Sequence, residues 1–190
     1  MLAERGIMRI IAGTARSLPL RTIEGLDTRP TTDRIKETLF NMLQNDVPGA
    51  YFLDLFAGSG QIGLEAVSRG AKFAVFVENN KKAAACIEDN IRFTKFTEET
   101  KLIQSDVLSA LRSMEGKYQF DVIFMDPPYN VQHERAVLEY LKNSSLIHED
   151  TLIVVETSLE TTFDYLEDLG YNLIKHKCYK TNAHAFIKKA

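Results

Sequence analysis

No apolar run in this chain approaches the roughly 20 residues needed to cross a bilayer. The opening Met1-Leu2-Ala3-Glu4-Arg5-Gly6-Ile7 lacks the charged-then-apolar layout of a secretory signal. Cysteine is scarce: Cys86 and Cys178 lie far apart with no CxxC spacing, which gives neither a disulfide framework nor a zinc site. His133, His148, His176 and His184 have no ligand spacing either, and each reads as a surface or loop residue rather than a catalyst. Internal repeats and low-complexity tracts are missing as well. These absences lead us to expect a soluble, cytoplasmic protein with reduced thiols, no metal and no membrane contact.

What the chain does have is 190 residues with 45% hydrophobic side chains, enough for one domain to bury a core of its own. Its net charge of −3 is unevenly spread. Residues 1–40 carry seven Lys and Arg against five acids, residues 41–170 eleven against twenty-one, and residues 171–190 five lysines and no acid. Basic ends around an acidic middle permit a polyanionic partner without requiring one.

From Tyr51 onward, short apolar runs alternate with amphipathic stretches, the pattern of an α/β fold built on a mostly parallel sheet. Seven strands are predicted, at Tyr51–Phe56, Phe73–Val77, Lys101–Ile103, Phe120–Met125, Thr151–Val155, Asn172–His176 and Ala185–Ile187. Apolar residues recurring every three or four positions predict helices over Gln61–Arg69, Lys81–Phe93 and Glu134–Lys142. The connection near Lys180-Thr181-Asn182 is too short for a helical crossover, so the last two strands should pair antiparallel and the sheet should be mixed. Residues 1–45 read as an extension on the 46–190 domain. Arg9–Ala12 and Leu18–Arg21 flank Gly13 as a hairpin, and Thr31 and Thr32 can cap a helix whose stripe is Ile35, Leu39, Met42 and Leu43.

The chemistry sits at the strand ends. The first strand runs into Asp54-Leu55-Phe56-Ala57-Gly58-Ser59-Gly60, where glycines allow a tight turn into a helix and close approach to a ligand. Gly58, Gly60 and Gly63 also satisfy the dinucleotide pattern GxGxxG, and Glu78 follows Gly58 by twenty residues, so a nicotinamide-dependent oxidoreductase is a rival. Glu78 can accept from ribose hydroxyls in either case. Asp106 with Val107 can meet an adenine edge, or Asp106 can simply cap the next short helix.

The fourth strand ends in Asp126-Pro127-Pro128-Tyr129. A ring-attached amine is a poor nucleophile because its lone pair is delocalised, and two acceptors aimed at its hydrogens favour a more pyramidal, reactive nitrogen. Asp126 and the Pro127 carbonyl are candidate acceptors. Pro128 holds the preceding backbone extended, which would fix that carbonyl before substrate arrives. Tyr129 offers a flat face for stacking on an extruded base. The alternative is a rigid surface turn, but the position after a glycine loop and a strand-end acid favours a site for methyl transfer to a nucleobase amine.

These residues resemble the Rossmann-like class I methyltransferases, and within them the RsmD-type enzymes that methylate the guanine exocyclic amine of small-subunit ribosomal RNA. The likeness spans Arg9–Gly13, Arg29-Pro30-Thr31-Thr32-Asp33-Arg34 running into Glu37–Asn41, Asp54–Gly60 and Asp126–Tyr129. It implies a seven-stranded mixed sheet with its last strand antiparallel, preceded by a β-hairpin and a helix. It also implies S-adenosylmethionine as donor and S-adenosylhomocysteine as product, the donor held by Asp54, Phe56, Ala57, Gly58, Gly60, Glu78, Asn79, Asp106 and Val107, with Arg29 and Thr31 closing over it. Asp126, Pro127, Pro128 and Tyr129 are then catalytic, and Arg9, Arg16, Arg21 and Arg34 are candidates to meet RNA phosphate. The expected partner is 16S rRNA in a small-subunit particle, met by a monomer. A DNA adenine methyltransferase shares the Asp-Pro-Pro-Tyr turn, and a non-catalytic RNA-binding module would grip phosphate with Arg9, Arg16, Arg21, Arg29 and the C-terminal lysines.

Overall fold

All seven expected strands form, the central ones from runs rich in Val, Ile and Phe and the edge strands from more polar segments. The computed structural model describes residues 8–23, 33–128 and 133–190. Its strands are β1 (Tyr51–Leu55), β2 (Phe73–Glu78), β3 (Thr100–Gln104), β4 (Phe120–Met125), β5 (Ile147–Thr157), β6 (Tyr171–Cys178) and β7 (Ala183–Lys189). The helices are α1 (Asp33–Met42), α2 (Gln61–Ser68), α3 (Lys81–Thr94), α4 (Val107–Met114) and α5 (His133–Leu141). None among the described residues is long and apolar enough to cross a membrane.

The strands form one sheet in the order β3-β2-β1-β4-β5-β7-β6. Strands β1 to β5 pair parallel, and β7 runs antiparallel to both β5 and β6. The mixed sheet is therefore as expected. An antiparallel strand inserted beside β5 departs from the 3-2-1-4-5-6 order of dinucleotide-binding sheets, which weakens the nicotinamide rival.

Side chains alternate between the faces, and both faces of the central strands are covered, which is why β1, β2, β4 and the second half of β5 read as nearly continuous apolar runs, whereas β6 is exposed beyond Tyr171. Phe52, Phe76, Phe124 and Phe186 pack on one face with Leu39 and Phe40 of α1, Leu64 of α2 and Ile87 of α3. Leu53, Val75, Ile123 and Ile153 pack on the other with Leu111 of α4 and Leu138 and Leu141 of α5.

Strand β5 and His184 differ from expectation in ways that bear on the cleft. β5 spans Ile147–Thr157 rather than Thr151–Val155, which brings Glu156 into the sheet. His184 is not a surface or loop residue: it is fully buried on β7, because Glu156 and Tyr179 supply partners for both ring nitrogens.

The N-terminal hairpin is narrow, with one bridge between Arg9 and Pro19 and a bond from Ile10 N–H to the Leu18 carbonyl at 3.0 Å. Buried Glu65 of α2 ties it down. Its carboxylate accepts from Ile11 N–H at 2.8 Å, Ala12 N–H at 3.0 Å and Arg69 Nε at 2.7 Å, and lies 3.6 Å from the buried Lys36 ammonium. Lys36 Nζ in turn donates to the Arg9 carbonyl at 2.5 Å. Gly13, at φ 87°, sits so close to α2 that a Cβ would fall 1.7 Å from the Ser68 carbonyl oxygen.

Candidate active site

A cleft of about 1260 Å³ opens at the carboxyl ends of the parallel strands, where the chain crosses from β1 outward in both directions. Open α/β sheets bind ligands at such a switch point. The loop from β1 to α2 forms its floor. Phe56 holds φ 61° without being glycine, and Gly58 and Gly60 follow at 58° and 78°. A side chain at φ 61° is an uncommon strain, and it stands where the loop faces the cleft.

The three glycines do different work. A Cβ at Gly58 would meet nothing within 4 Å, so the loop backbone there faces open space. Gly60 does not line the cleft; it is the left-handed residue that starts α2. Gly63 serves packing, since a Cβ there would come within 2.3 Å of the Phe76 ring.

Asp54 lines the cleft but its carboxylate holds the loop, accepting from Gly63 N–H at 2.9 Å. Burial pushes this carboxyl up to about 7; the Gly63 N–H pulls it back and the Glu78 charge adds to the rise. Glu78 accepts from Gly58 N–H and Asn80 N–H, both at 2.8 Å, and so fixes its own carboxylate at the end of β2. Asn79 lines the same wall.

Asp106 caps α4 through a bond from Ser109 N–H to Oδ1 at 2.9 Å, which holds its carboxyl below the usual range. The capping alternative is therefore real. It does not remove Asp106 from the cleft, which it lines with Val107, and a carboxylate has acceptor capacity beyond one bond.

Asp126, Pro127 and Pro128 reach the cleft from the end of β4. Asp126 is open to the cleft by surface area, yet protein atoms crowd it on its other sides. That desolvation first, and the charges of Glu156 and Asp54 after it, raise its carboxyl above the ordinary range. Water in the cleft softens the effect without changing its sign. Arg29, Thr31 and Tyr129 lie outside the described residues.

Of the arginines, Arg34 lines the cleft from α1. Arg9 pairs with Asp33 at 2.9 Å and Arg21 with Asp89 at 2.7 Å, while Arg16 is exposed on the hairpin turn; these three do not line the cleft.

Sequence reasoning missed the far wall. Glu156, Asn182 and Tyr179 line the cleft there, with Lys177 and Lys180 beside them. Glu156 Oε1 accepts from Asn182 Nδ2 at 2.6 Å, and its Oε2 lies 3.2 Å from His184 Nε2. The signal that would have found Glu156 is the one that found Glu78: an acid at the carboxyl end of a parallel strand.

Comparison with known proteins gives this geometry relatives. The family model described as Conserved hypothetical protein 95 matches residues 8–188. Ribosomal RNA small subunit methyltransferase D of Haemophilus influenzae is 37% identical over 176 residues, which is 91% of this chain and 89% of that one. The Escherichia coli protein of the same name is 34% identical over 157 residues, 82% of this chain and 77% of its own. The solved structure of yhhF from Escherichia coli superposes with a TM-score of 0.82 at 31% identity, covering 97% of this chain and 98% of that one. The cleft at the switch point, the strand order and a match over almost the whole length agree, and the chain belongs to the Conserved hypothetical protein 95 family, that of the RsmD-type methyltransferases with the Rossmann-like class I fold.

Proposed function

We propose that this protein transfers a methyl group from S-adenosylmethionine to the exocyclic N2 amine of a guanine in small-subunit ribosomal RNA. The observation that carries the reading is the diproline corner after Asp126, which shares one cleft with the glycine loop and the strand-end acids Glu78 and Asp106. The relatives' names supply the RNA; the cleft supplies the chemistry.

The residues present fit an adenosyl group. Glu78 carries acceptors suited to ribose hydroxyls, Asp106 an acceptor for an adenine amine, and Val107 and Leu108 an apolar flank. Open space before Gly58 lets the loop backbone come close to what binds there. S-adenosylmethionine, when bound, supplies a methyl group activated by its sulfonium and leaves as S-adenosylhomocysteine.

Asp126 and the Pro127 carbonyl then take the hydrogens of the target amine, and the stiff corner sets both before substrate arrives. A new N–C bond leaves one surplus proton on nitrogen, which the Asp126 carboxylate is placed to accept. Arg34 from one side and Lys177 and Lys180 from the other put positive charge at the cleft, as an RNA backbone requires.

Labelled methyl donor with purified small subunits, free ribosomal RNA, transfer RNA and duplex DNA side by side tests the reading. N2-methylguanosine recovered from small-subunit RNA is expected. Methyladenine in DNA, or binding of NAD with no affinity for S-adenosylhomocysteine, would overturn it.

A further inference from the structure

The far wall of the cleft is built for more than support, and the inference drawn from it rests on the guanine reading above. Strands β4 and β5 pair in register at Met125 and Val155, so the next residue along each, Asp126 just past β4 and Glu156 within β5, stand at the same level. Both line the cleft. Glu156 also pairs in register with His184 of β7, which pairs with Lys177 of β6. A row of polar residues thus crosses four strands beside the catalytic corner.

Glu156 is held rather than mobile. Asn182 Nδ2 and His184 Nε2 engage its two oxygens, and Tyr179 OH lies 3.1 Å from His184 Nδ1, steadying the ring. Two bonds do not exhaust a carboxylate, which has about four acceptor positions. Some 8% of the Glu156 side chain remains accessible, from the cleft that it lines. Asn182 is itself 94% buried, lines the same cleft, and its Oδ1 has no hydrogen-bond partner among the described residues. A buried acceptor without a donor costs stability unless something supplies the donor.

A wall of acceptors matches a ligand edge of donors. Three RNA bases carry an exocyclic amine, and they differ in the ring atoms beside it. Adenine places the bare N1 and cytosine the bare N3 next to the amine, both acceptors, and a carboxylate facing either is repelled. Guanine alone places a ring N–H, at N1, next to its amine. With the guanine amine on Asp126, the neighbouring acceptor on β5 faces N1–H.

We propose that Glu156 is the specificity-determining residue of this cleft, accepting from the guanine N1–H while Asn182 and His184 hold its carboxylate, and so rejecting adenine and cytosine.

The full-length protein is tested with small-subunit RNA carrying either guanosine or 2-aminopurine riboside at the position it methylates. 2-Aminopurine keeps the 2-amine but presents a bare N1. The native protein should favour guanine in kcat/KM by on the order of 10- to 100-fold, the range for one well-made base contact. Glu156→Gln, whose amide can donate to N1, should lower the rate on guanine and shift the ratio toward 2-aminopurine by about 10-fold or more. Donor binding by calorimetry shows whether that variant is folded; if it is not, the native protein's preference decides alone. Equal rates on the two bases in the native protein, or an unchanged ratio in folded Glu156→Gln, would overturn the proposal. Failure to methylate any RNA guanine would instead sink the reading on which it rests.

Discussion

The proposed chemistry falls on one carboxylate, that of Asp126, and its surroundings set the pH at which it is ionised. Crowding by protein atoms, then Glu156 and Asp54, raise its carboxyl, so at acidic pH it is protonated and donates where an acceptor is needed. Methyl transfer should therefore climb with pH through a step lying above the ordinary carboxylate range of roughly 4, and a pH profile of kcat/KM measures it. Asp126→Asn should flatten that step and slow transfer on the order of 100-fold or more, while calorimetry finds donor binding largely intact. Asp54 gives a stability counterpart. It ionises near roughly 4 in the unfolded chain but near about 7 when folded, so the unfolded state sheds its proton first and stability falls as pH rises across that window. Asp54→Asn keeps an acceptor for Gly63 N–H, and its melting temperature should gain on the native protein's between pH 4 and pH 7.5; equal slopes would refute this.

Elements follow from local patterns where burial is simple and depart from them where contacts are distant. The central strands β1, β2, β4 and β5 were legible because two-sided burial demands unbroken apolar runs, and α3 because its stripe repeats at helical spacing. α4 reads in the sequence only as a short helix that Asp106 could cap, without bounds of its own. Its eight residues begin at an Asp106 cap that the sequence offered only as one of two roles. β5 reads short at both ends, and at its carboxyl end because Glu156-Thr157 looks polar and loop-like, whereas His184 and Ala183 of β7 pair with that stretch and keep it in the sheet. The hairpin has almost no ladder of its own and holds by docking on α2. Glu65→Ala would leave Lys36 buried without its counter-charge and free two backbone donors, costing about 3–5 kcal/mol. Chemical denaturation gives the size of the loss, and earlier proteolysis within residues 8–23 would place it. Gly63→Ala should cost about 1–3 kcal/mol by forcing its methyl against Phe76; a melting point unchanged from native would contradict that packing.

At the scale of the molecule, the sheet places acids and glycines at the parallel strand ends and brings the basic C-terminal strands to the same cleft. Lys177 and Lys180 come from a segment with five lysines and no acid. Replacing both with alanine should weaken RNA binding at all sequences and reduce the slope of log affinity against log salt by about 2, measured by titration at several salt concentrations. Alternating apolar runs, glycines at turns and prolines after Asp126 were enough by themselves to set the fold class and to mark the loop, Glu78, Asp106 and the diproline corner that line one cleft, because those are properties of residues close together in the chain. Only the tertiary structure decided that Glu156, Asn182 and His184, along with Lys177, stand across from that corner. Strand register and an antiparallel insertion join residues far apart in sequence, and hydrophobic periodicity carries no record of which strand lies beside which.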